Sequence, residues 1–310
     1  CRWSKMDRKN YFYPDLAKNY QVSQYDLPLC SGGYLEVDVD GQTKRIGVTR
    51  VHIEEDTARN VHTIGGNGSA MESGVDFNRS GVPLLEIVSE PDIRSAQEAY
   101  AYLTSLKKIL QYLNVSDCNM EEGSLRAEAN ISIRPVGTSA FGTKTEVKNV
   151  ASFSGTFKAI EFEVARQRQV IEGGGVVVQE TRGWDADRGI TVSQRSKESA
   201  HDYRYFPEPD LTPIAVDDAW IERVRTSLPE LPAARYERFR TEYGLSEYDA
   251  AGLTSSSAVA DYFESAVSDG AAAKQAANWI MGDLQALLSE AKRSIENCPI
   301  SAADLAAMIG

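Results

Sequence analysis

The sequence changes character near residue 215, and this change constrains the fold more than any other feature. Before it, short stretches alternate apolar and polar residues with the period of two that is typical of half-buried strands, and isolated helical patterns lie between them. After it the alternation stops, and Ala, Leu, Glu and Arg dominate. We therefore predict an α+β domain with a mainly antiparallel sheet over residues 1–215, followed by an all-α helical domain over residues 216–310.

Three hairpins are predicted in the first domain. Asp40 and Gly41 are suited to a two-residue turn, because both central residues of such a turn need a positive φ. Residues 125–134, LRAEANISIR, alternate without a miss and therefore indicate a strand. The predicted strand pairs are 34–39 with 43–53, 125–134 with 144–148, and 176–182 with 190–196.

Amphipathic helices are predicted in both domains. In the first they cover residues 95–113, where Ser95 and Glu98 have the spacing of a capping box, and residues 157–171. The helices predicted for the second domain lie near 217–228, 230–243, 255–268, 271–290 and 301–309.

Charge and cysteine content limit the classes of partner. The chain has 33 Lys and Arg against 45 Asp and Glu, a net charge of −12. Such acidity argues against indiscriminate binding to nucleic acid, which needs clustered cations, but is compatible with RNA held by a local patch. No apolar run reaches the roughly 18 residues of a membrane span. The four cysteines are too scattered for a disulfide framework or a zinc site, which indicates a reducing, cytoplasmic environment.

Carboxylates are the main source of candidate chemistry, since nucleophile motifs and a Gly-rich phosphate loop are missing from the sequence and it contains three histidines. Several glutamates converging on Mg²⁺ would explain them, although a single acidic residue on a half-exposed strand is more often solvated or paired. Glu86 lies in the apolar run VPLLEIVSE, where burial of an unpaired carboxylate would cost several kcal/mol. His52, Glu54 and Glu55 end a strand, and the two glutamates should point to opposite faces.

Two further segments allow more than one interpretation. In VDFNRSGVPLLEIVSEPD, residues 75–92, Arg79 either clamps a phosphate or pairs with an Asp that fastens the turn. In RKNYFYPD, residues 8–15, Tyr11 near Lys9 either stacks on a base or belongs to the edge of an aromatic core. For His62 and His201 a surface or structural role is the more common outcome.

Seven longer segments are distinctive when they are taken together. They are, in order, RKNYFYPDLAKNYQVSQYDLPLC, IGVTRVHIEEDTAR, VDFNRSGVPLLEIVSEPDIRS, MEEGSLRAEANISIRP, FGTKTEVKNVASF, VQETRGW and DYRYFPEPDL. With these segments the chain closely resembles the GatB family, the B subunits of the aspartyl/glutamyl-tRNA amidotransferases. The resemblance runs from residue 4 to about 214 and continues more loosely through the helical part.

The resemblance implies a cytoplasmic ligase with ATP and Mg²⁺ as cofactors. Members of this family phosphorylate the side-chain carboxylate of Glu-tRNA(Gln) or Asp-tRNA(Asn). The acyl phosphate is then amidated with glutamine-derived ammonia from the amidase (A) subunit, in a heterotrimer that also contains a small (C) subunit. The family places the first domain with the glutamine synthetase and guanido kinase folds, as a cradle that carries the active site.

The family's functional residues can be carried over by motif. Its metal-binding glutamates fall on Glu55 and Glu86, and these two with Arg79 and Lys9 are the catalytic candidates. Further metal or second-ion positions fall on Glu54, Glu122 and Glu128, the last of which stands where the family usually has Asp. The candidates for contacts with nucleotide phosphates are Arg79, Arg204 and Asn78. Those for the tRNA end or the ammonia path are Lys9 and Tyr11.

The sequence departs from the family pattern at both ends. A G-L-E-V-H motif that supplies further metal ligands and a small helical tail domain that helps to bind tRNA are missing, so we expect the first domain to be incomplete N-terminally and the second C-terminally. Two other functions therefore stay open: a non-catalytic scaffold of the same fold that binds tRNA or a partner, and a free-standing ligase for a small acid.

Overall fold

The computed structural model describes residues 1–63, 72–196 and 203–310, which form a mixed α/β structure with antiparallel sheets and several helices. It contains two compact units. The first unit comprises residues 1–102 and 127–225, and the second comprises residues 103–126 and 226–310. The domain boundary that the sequence places near residue 215 stays a prediction.

The first unit contains all the described strands. They are β1 (Trp3–Ser4), β2 (Asp7–Asn10), β3 (Tyr20–Ser23), β4 (Cys30–Val39), β5 (Gln42–Glu55), β6 (Arg59–Thr63), β7 (Glu72–Asp76), β8 (Pro83–Ser89), β9 (Ala129–Ile131), β10 (Thr145–Lys148), β11 (Glu180–Asp185), β12 (Ile190–Ser196), β13 (Phe206–Pro207) and β14 (Ile214–Ala215). The sheets have the strand orders β4-β5-β8, β13-β2-β3, β12-β11-β10-β9, β1-β14 and β6-β7.

The helices are distributed over both units. They are α1 (Ala96–Tyr112), α2 (Phe153–Glu172), α3 (Asp218–Ser227), α4 (Pro232–Glu242), α5 (Glu247–Leu253), α6 (Ser257–Ser268), α7 (Ala273–Trp279), α8 (Gln285–Glu290) and α9 (Ala302–Ile309). Among the helices that the structure describes, none combines the length and apolar character that a bilayer crossing requires.

The hairpin of β4 and β5 is confirmed and is the longest strand pair of the first unit. Asp40 and Gly41 form its turn with φ values of 52° and 75°, and Val39 lies opposite Gln42. On its other side, β5 pairs antiparallel with β8 along the second half of its length. Residues 48–51 of β5 therefore lie between two strands, whereas its last residues, from His52 to Glu55, pair with β8 alone. The pairing with β8 fixes the direction of these last side chains.

The strand predicted over residues 125–134 is wrong in length, because only Ala129–Ile131 is a strand. Its partner β10 is short, and the pairing runs from Thr145 opposite Ile131 to Val147 opposite Ala129. Beyond β10, Asn149 adopts a positive φ of 60° and turns the chain away. Alternation alone does not make a strand where no neighbouring strand supplies hydrogen bonds.

The connection from β10 to β11 is a helical crossover, since these two strands are parallel and α2 lies between them in the chain. Helix α2 begins at Phe153, four residues before the predicted start, because Ser152 caps it by accepting a hydrogen bond from Gly155 N at 2.9 Å. The predicted pairing of β11 with β12 is confirmed, although β11 begins only at Glu180.

The second unit packs its helices around one apolar cluster. Its fully buried large side chains are Phe239, Leu253, Phe263, Ile280 and Leu305. The helix predicted over 271–290 is interrupted by a π-helical turn at Ile280–Leu284, and α5 was not predicted at all. Seven residues are too few for a helical periodicity to stand out in the sequence.

A buried carboxylate ties α2 to the sheet of β9 to β12. Glu163 has no exposed side-chain surface and accepts hydrogen bonds from Arg166 Nη2 at 2.6 Å, Gln167 Nε2 at 3.0 Å and Thr191 Oγ1 at 3.0 Å. Burial by itself would raise the pKa of the Glu163 carboxyl, but hydrogen bonds, first that from Arg166, outweigh it, so that the pKa lies below its ordinary value of 4.5.

Replacing Glu163 should therefore destabilise the first unit. We expect Glu163→Ala to lower the free energy of unfolding by about 3–5 kcal/mol, because it leaves the buried donors without their acceptor. Urea unfolding at neutral pH measures this loss. The matched control is Glu161→Ala, which removes an exposed carboxylate from the same helix; equal stability of the two variants would contradict the assignment.

The Glu163 carboxylate should also make the free energy of unfolding depend on pH in acid. Its lowered pKa means that its contribution to stability is complete above the ordinary value of 4.5 and is lost as the pH falls through the lowered pKa. In Glu163→Gln this part of the acid destabilisation is removed. The curve of unfolding free energy against pH should therefore be flatter below pH 4.5 in the variant than in the wild-type protein.

Candidate functional site

The paired ends of β5 and β8 bring together one histidine and two glutamates, which we call the acid–histidine trio: His52, Glu54 and Glu86. His52 and Glu54 are two residues apart on β5 and therefore share a face. Glu86 lies on β8 directly opposite His52. One ligand atom from each of the three residues lies within 4.8 Å of the others. The sheet itself thus assembles a possible metal site.

The separations within the trio are too long for direct hydrogen bonding. His52 Nε2 is 3.6 Å from Glu54 Oε2 and 3.8 Å from Glu86 Oε2, both beyond good hydrogen-bond length. Two ligands that share an octahedral ion at about 2.1 Å lie about 3.0 Å apart when adjacent and about 4.2 Å apart when opposite. The observed distances match neither value, so these side chains would have to move by about half an ångström to bind such an ion together.

The burial of His52 also requires a partner. The residue is 3% exposed, and within the described part of the chain its Nδ1 atom is buried without a hydrogen-bond partner. Glu86, by contrast, is open to solvent, with 45% of its side chain exposed. The trio therefore has a buried side and an accessible side, as a site for an ion that also contacts a substrate would need.

Glu54 is held as an anion despite its burial. Ser23 Oγ donates a hydrogen bond to its carboxylate at 3.2 Å, and Lys9 Nζ lies 3.9 Å away. Burial alone would raise the pKa of the Glu54 carboxyl, but the interaction with His52 and the charge of Lys9 outweigh it, so that the net pKa is lowered. A permanently charged carboxylate suits a hard cation.

Tyrosines surround the lysine beside the trio. Lys9 Nζ lies 5.0 Å from the ring centroid of Tyr203 and 5.9 Å from that of Tyr11, within reach of cation–π attraction. Burial, followed by the charge of Glu54, raises the pKa of Tyr205 to about 12, so this phenol stays neutral. The tyrosines and Lys9 give this side of the site a mixed aromatic and cationic character.

Glu55 contacts different groups, as the alternation along β5 requires. Its carboxylate pairs with Lys18 and accepts a hydrogen bond from Val22 N at 2.8 Å. Its main-chain carbonyl accepts a hydrogen bond from Gln21 Nε2 at 2.5 Å. The structure thus brings Glu86 together with Glu54, while Glu55 lies against β3 and the residues before it.

The candidate phosphate-binding residues lie in turns. Arg79 pairs with Asp56 at 3.2 Å, and 38% of its side chain remains exposed. Asn78 donates from both its main-chain N and its Nδ2 to Asp76 Oδ1, at 3.0 and 2.6 Å, which closes the turn before β8. Arg204 is exposed and has a positive φ of 44°.

The remaining residues singled out in the sequence do not lie on the β5 and β8 segments that form the trio. Glu122 belongs to the second unit, where its main-chain N donates to Asn119 Oδ1 at 3.4 Å. Glu128 accepts a hydrogen bond from Lys148 Nζ at 2.9 Å beside β9 and β10. His62 lies in β6, and His201 lies outside the described residues.

Tyr11 lies beside Lys9, as the sequence suggested. Its hydroxyl donates to Gln21 Oε1 at 3.2 Å, and burial raises its pKa. What the sequence did not reveal is the pairing of His52 with Glu86 and the contribution of Tyr205. The contact between His52 and Glu86 follows from the register of β8 against β5, which the sequence does not reveal.

Comparison with known proteins identifies the family. A family model described as the GatB/GatE catalytic domain matches residues 1–222, and a second, described as the GatB domain, matches residues 261–310. The chain belongs to the GatB/GatE family. Its GatB relatives are named as the B subunit of aspartyl/glutamyl-tRNA(Asn/Gln) amidotransferase.

Three of these GatB relatives show the extent of the similarity. That of Caldanaerobacter subterraneus is 57% identical over 97% of this chain and 62% of its own length. That of Carboxydothermus hydrogenoformans is 55% identical over 100% of this chain and 64% of its own length. That of Geobacter sulfurreducens is 57% identical over 97% of this chain and 63% of its own length. The chain therefore spans a little under two thirds of the length of the curated relatives it matches.

The geometry of the trio predicts which glutamates bind a divalent cation. We expect Glu54→Gln combined with Glu86→Gln to weaken binding of Mn²⁺, a paramagnetic substitute for Mg²⁺, by about tenfold or more, since a ligand contributes at least as much as its supporting groups. Glu55→Gln is the matched control and should change the affinity little. Electron paramagnetic resonance titration measures free Mn²⁺; loss of binding in Glu55→Gln alone would instead favour the assignment by motif.

Proposed function

We propose that this chain acts as the GatB component of a glutamyl/aspartyl-tRNA amidotransferase. In this proposal it phosphorylates the side-chain carboxylate of Glu-tRNA(Gln) or Asp-tRNA(Asn) with ATP and directs the amidation that follows. The observation that carries the proposal is the acid–histidine trio in a chain 57% identical to a curated GatB protein. The names of the relatives supply the substrates, and the trio supplies a place for the chemistry.

The two chemical steps explain why the chain needs charge rather than a nucleophile. A carboxylate oxygen of the substrate attacks the γ-phosphorus of ATP, the bond to the bridging oxygen breaks, and ADP leaves. Ammonia then attacks the acyl carbon, the phosphate leaves with the electrons of the C–O bond, and the nitrogen loses a proton. Phosphoryl transfer of this kind depends mainly on positioning and charge neutralisation.

The donor set of the trio fits Mg²⁺ in part, through its two carboxylates. Mg²⁺, when bound, would neutralise charge on the transferring phosphoryl group. Glu54 and Glu86 would hold it from paired strands. By motif, Glu55, Glu122 and Glu128 each remain a candidate ligand.

Cations beside the trio would orient the substrates. Lys9, fixed by Glu54 and by the tyrosine rings, is positioned to hold an anionic oxygen or to line the path of ammonia together with Tyr11. Arg79, whose side chain is 38% exposed beside Asp56, is proposed to contact nucleotide phosphates, as are Arg204 and Asn78.

The wider assembly belongs to the same proposal. We assign the first domain to the cradle fold of glutamine synthetase and guanido kinase type and the second to an all-α domain, with the boundary near residue 215. The proposed partners are the amidase and the small third component of the heterotrimer, with glutamine-derived ammonia supplied by the amidase in the cytoplasm. The names of the relatives, B subunits of an amidotransferase, support an assembly with further subunits and a tRNA substrate.

The phosphorylation step can be tested without the amidase by supplying ammonium chloride as the nitrogen source. With Glu-tRNA(Gln) or Asp-tRNA(Asn), ATP and Mg²⁺, we expect tRNA-dependent release of ADP and formation of the amidated tRNA. Glu86→Gln should lower kcat by about 100-fold or more, because a charge-stabilising group at the phosphoryl group is lost. The exposed-site variant Glu161→Gln should retain the wild-type rate.

The outcomes separate the rival functions. If the wild-type protein binds tRNA but releases no ADP, alone or with the amidase and the small third component, the proposal is wrong and a non-catalytic scaffold is favoured. If ADP release is as fast without tRNA, a ligase acting on a small acid is favoured instead.

A further inference from the structure

An open groove lies on the sheet of β4, β5 and β8, at the end of β5 remote from the trio. Its volume is about 470 Å³, within the range of ligand-binding clefts. Lys44 and His52 are eight residues apart on β5, which corresponds to roughly 25 Å along a strand. The lining residues are Gly33, Tyr34, Lys44, Arg45, Gly47, Asp92 and Arg94.

The charges of the groove are not all used within the protein. Lys44 is paired with Glu98 at 2.6 Å and is therefore neutralised. The guanidinium of Arg45 stacks at 3.5 Å on the ring of Tyr34. Arg94 Nη1 donates to the main-chain carbonyls of Pro91 and Ile93, the second at 3.0 Å. Among the described residues neither arginine forms an ion pair, although Glu36 lies opposite Arg45 in the strand register.

The acidic residue of the groove, Asp92, is hydrogen-bonded to the main chain of β5. Asp92 Oδ2 accepts a hydrogen bond from Gly47 N at 2.8 Å. Gly47 has no room for a side chain, because a Cβ atom there would lie 2.6 Å from Cγ of Glu90. The close approach that this glycine permits lets Asp92 accept this hydrogen bond. Asp92 keeps its negative charge, so the lining residues outside the Lys44–Glu98 pair carry two positive charges and one negative charge.

We infer that this groove binds the phosphodiester backbone of RNA through Arg45 and Arg94. A guanidinium presents a planar fork to phosphate oxygens, and stacking on Tyr34 holds that of Arg45 in one plane while its N–H groups stay available. Tyr34 is 51% exposed and offers a ring edge to a ribose or base. In a chain of net charge −12, such a local cationic pair is what lets RNA approach this face.

An RNA ligand also agrees with the distance between the two sites. Arg45 is seven residues from His52 on β5, which corresponds to roughly 23 Å along the strand, although the nearer edge of the groove, Gly47, is roughly 16 Å away. A single nucleotide bound at the trio does not reach Arg45, whereas an RNA helix spans that distance. The groove would hold the body of the substrate RNA while its end lies at the trio. In this respect the inference rests on the proposed function, because it takes the substrate to be a tRNA.

The test compares paired charge removals in the intact chain. Binding of a fluorescent tRNA(Gln) transcript is measured by anisotropy between about 50 and 200 mM KCl. We expect Arg45→Gln with Arg94→Gln to weaken binding about tenfold and to reduce the slope of log affinity against log salt by about two, one for each phosphate contact. The matched control removes two exposed arginines elsewhere in the first unit, Arg168→Gln with Arg188→Gln, and should leave the slope unchanged.

Two further measurements make the result decisive. In the amidation assay the variant Arg45→Gln with Arg94→Gln should have a higher KM for tRNA and the wild-type kcat. If the wild-type protein is active but the two substitutions do not weaken tRNA binding, the groove is not an RNA site, and the proposed function stands. If the substitutions weaken tRNA binding but the wild-type protein forms no amidated tRNA, the proposed function is wrong, and the RNA site stands. Calorimetric titration with ATP and with inorganic phosphate should give the same result in wild type and variant. ATP binding that disappears with the two arginines would show a nucleotide site and overturn the RNA assignment.

Discussion

The candidate site depends on the antiparallel register of β5 against β8. Because His52 lies opposite Glu86, and Glu54 lies on the same face two residues further along β5, three potential ligands meet without any contribution from a flexible loop. A slip of one residue would turn Glu54 away and present Glu55 in its place. The register is therefore the feature that decides which glutamates act together.

The electrostatics of the site follow from that arrangement. An oxygen of Glu54 and an oxygen of Glu86 lie within 4.8 Å of each other, and the two carboxylates repel each other unless a cation lies nearby. Lys9 supplies part of the compensation to Glu54, and its ammonium is itself held by the rings of Tyr11 and Tyr203. The incomplete compensation around His52 and Glu86 is the physical reason to expect an ion there.

Much of the local structure could be predicted from the sequence, because local chemistry determines it. The Asp40-Gly41 turn fixes the hairpin of β4 and β5, and Ser95 with Glu98 marks the start of α1. Alternation also showed that Glu54 and Glu55 point to opposite faces. Which face meets Glu86 is set by the pairing of β8 with β5, and no local pattern encodes a register between strands so far apart in the chain.

The most direct measurement is the anomalous scattering of a crystal of the protein soaked with Mn²⁺. A metal site at the trio should give one density peak between the carboxylates of Glu54 and Glu86, about 2.1 Å from an oxygen of each, as expected for a hard divalent cation. A peak at Glu55 instead, with Glu54 and Glu86 free of the ion, would show that the register of β5 and β8 does not build the metal site.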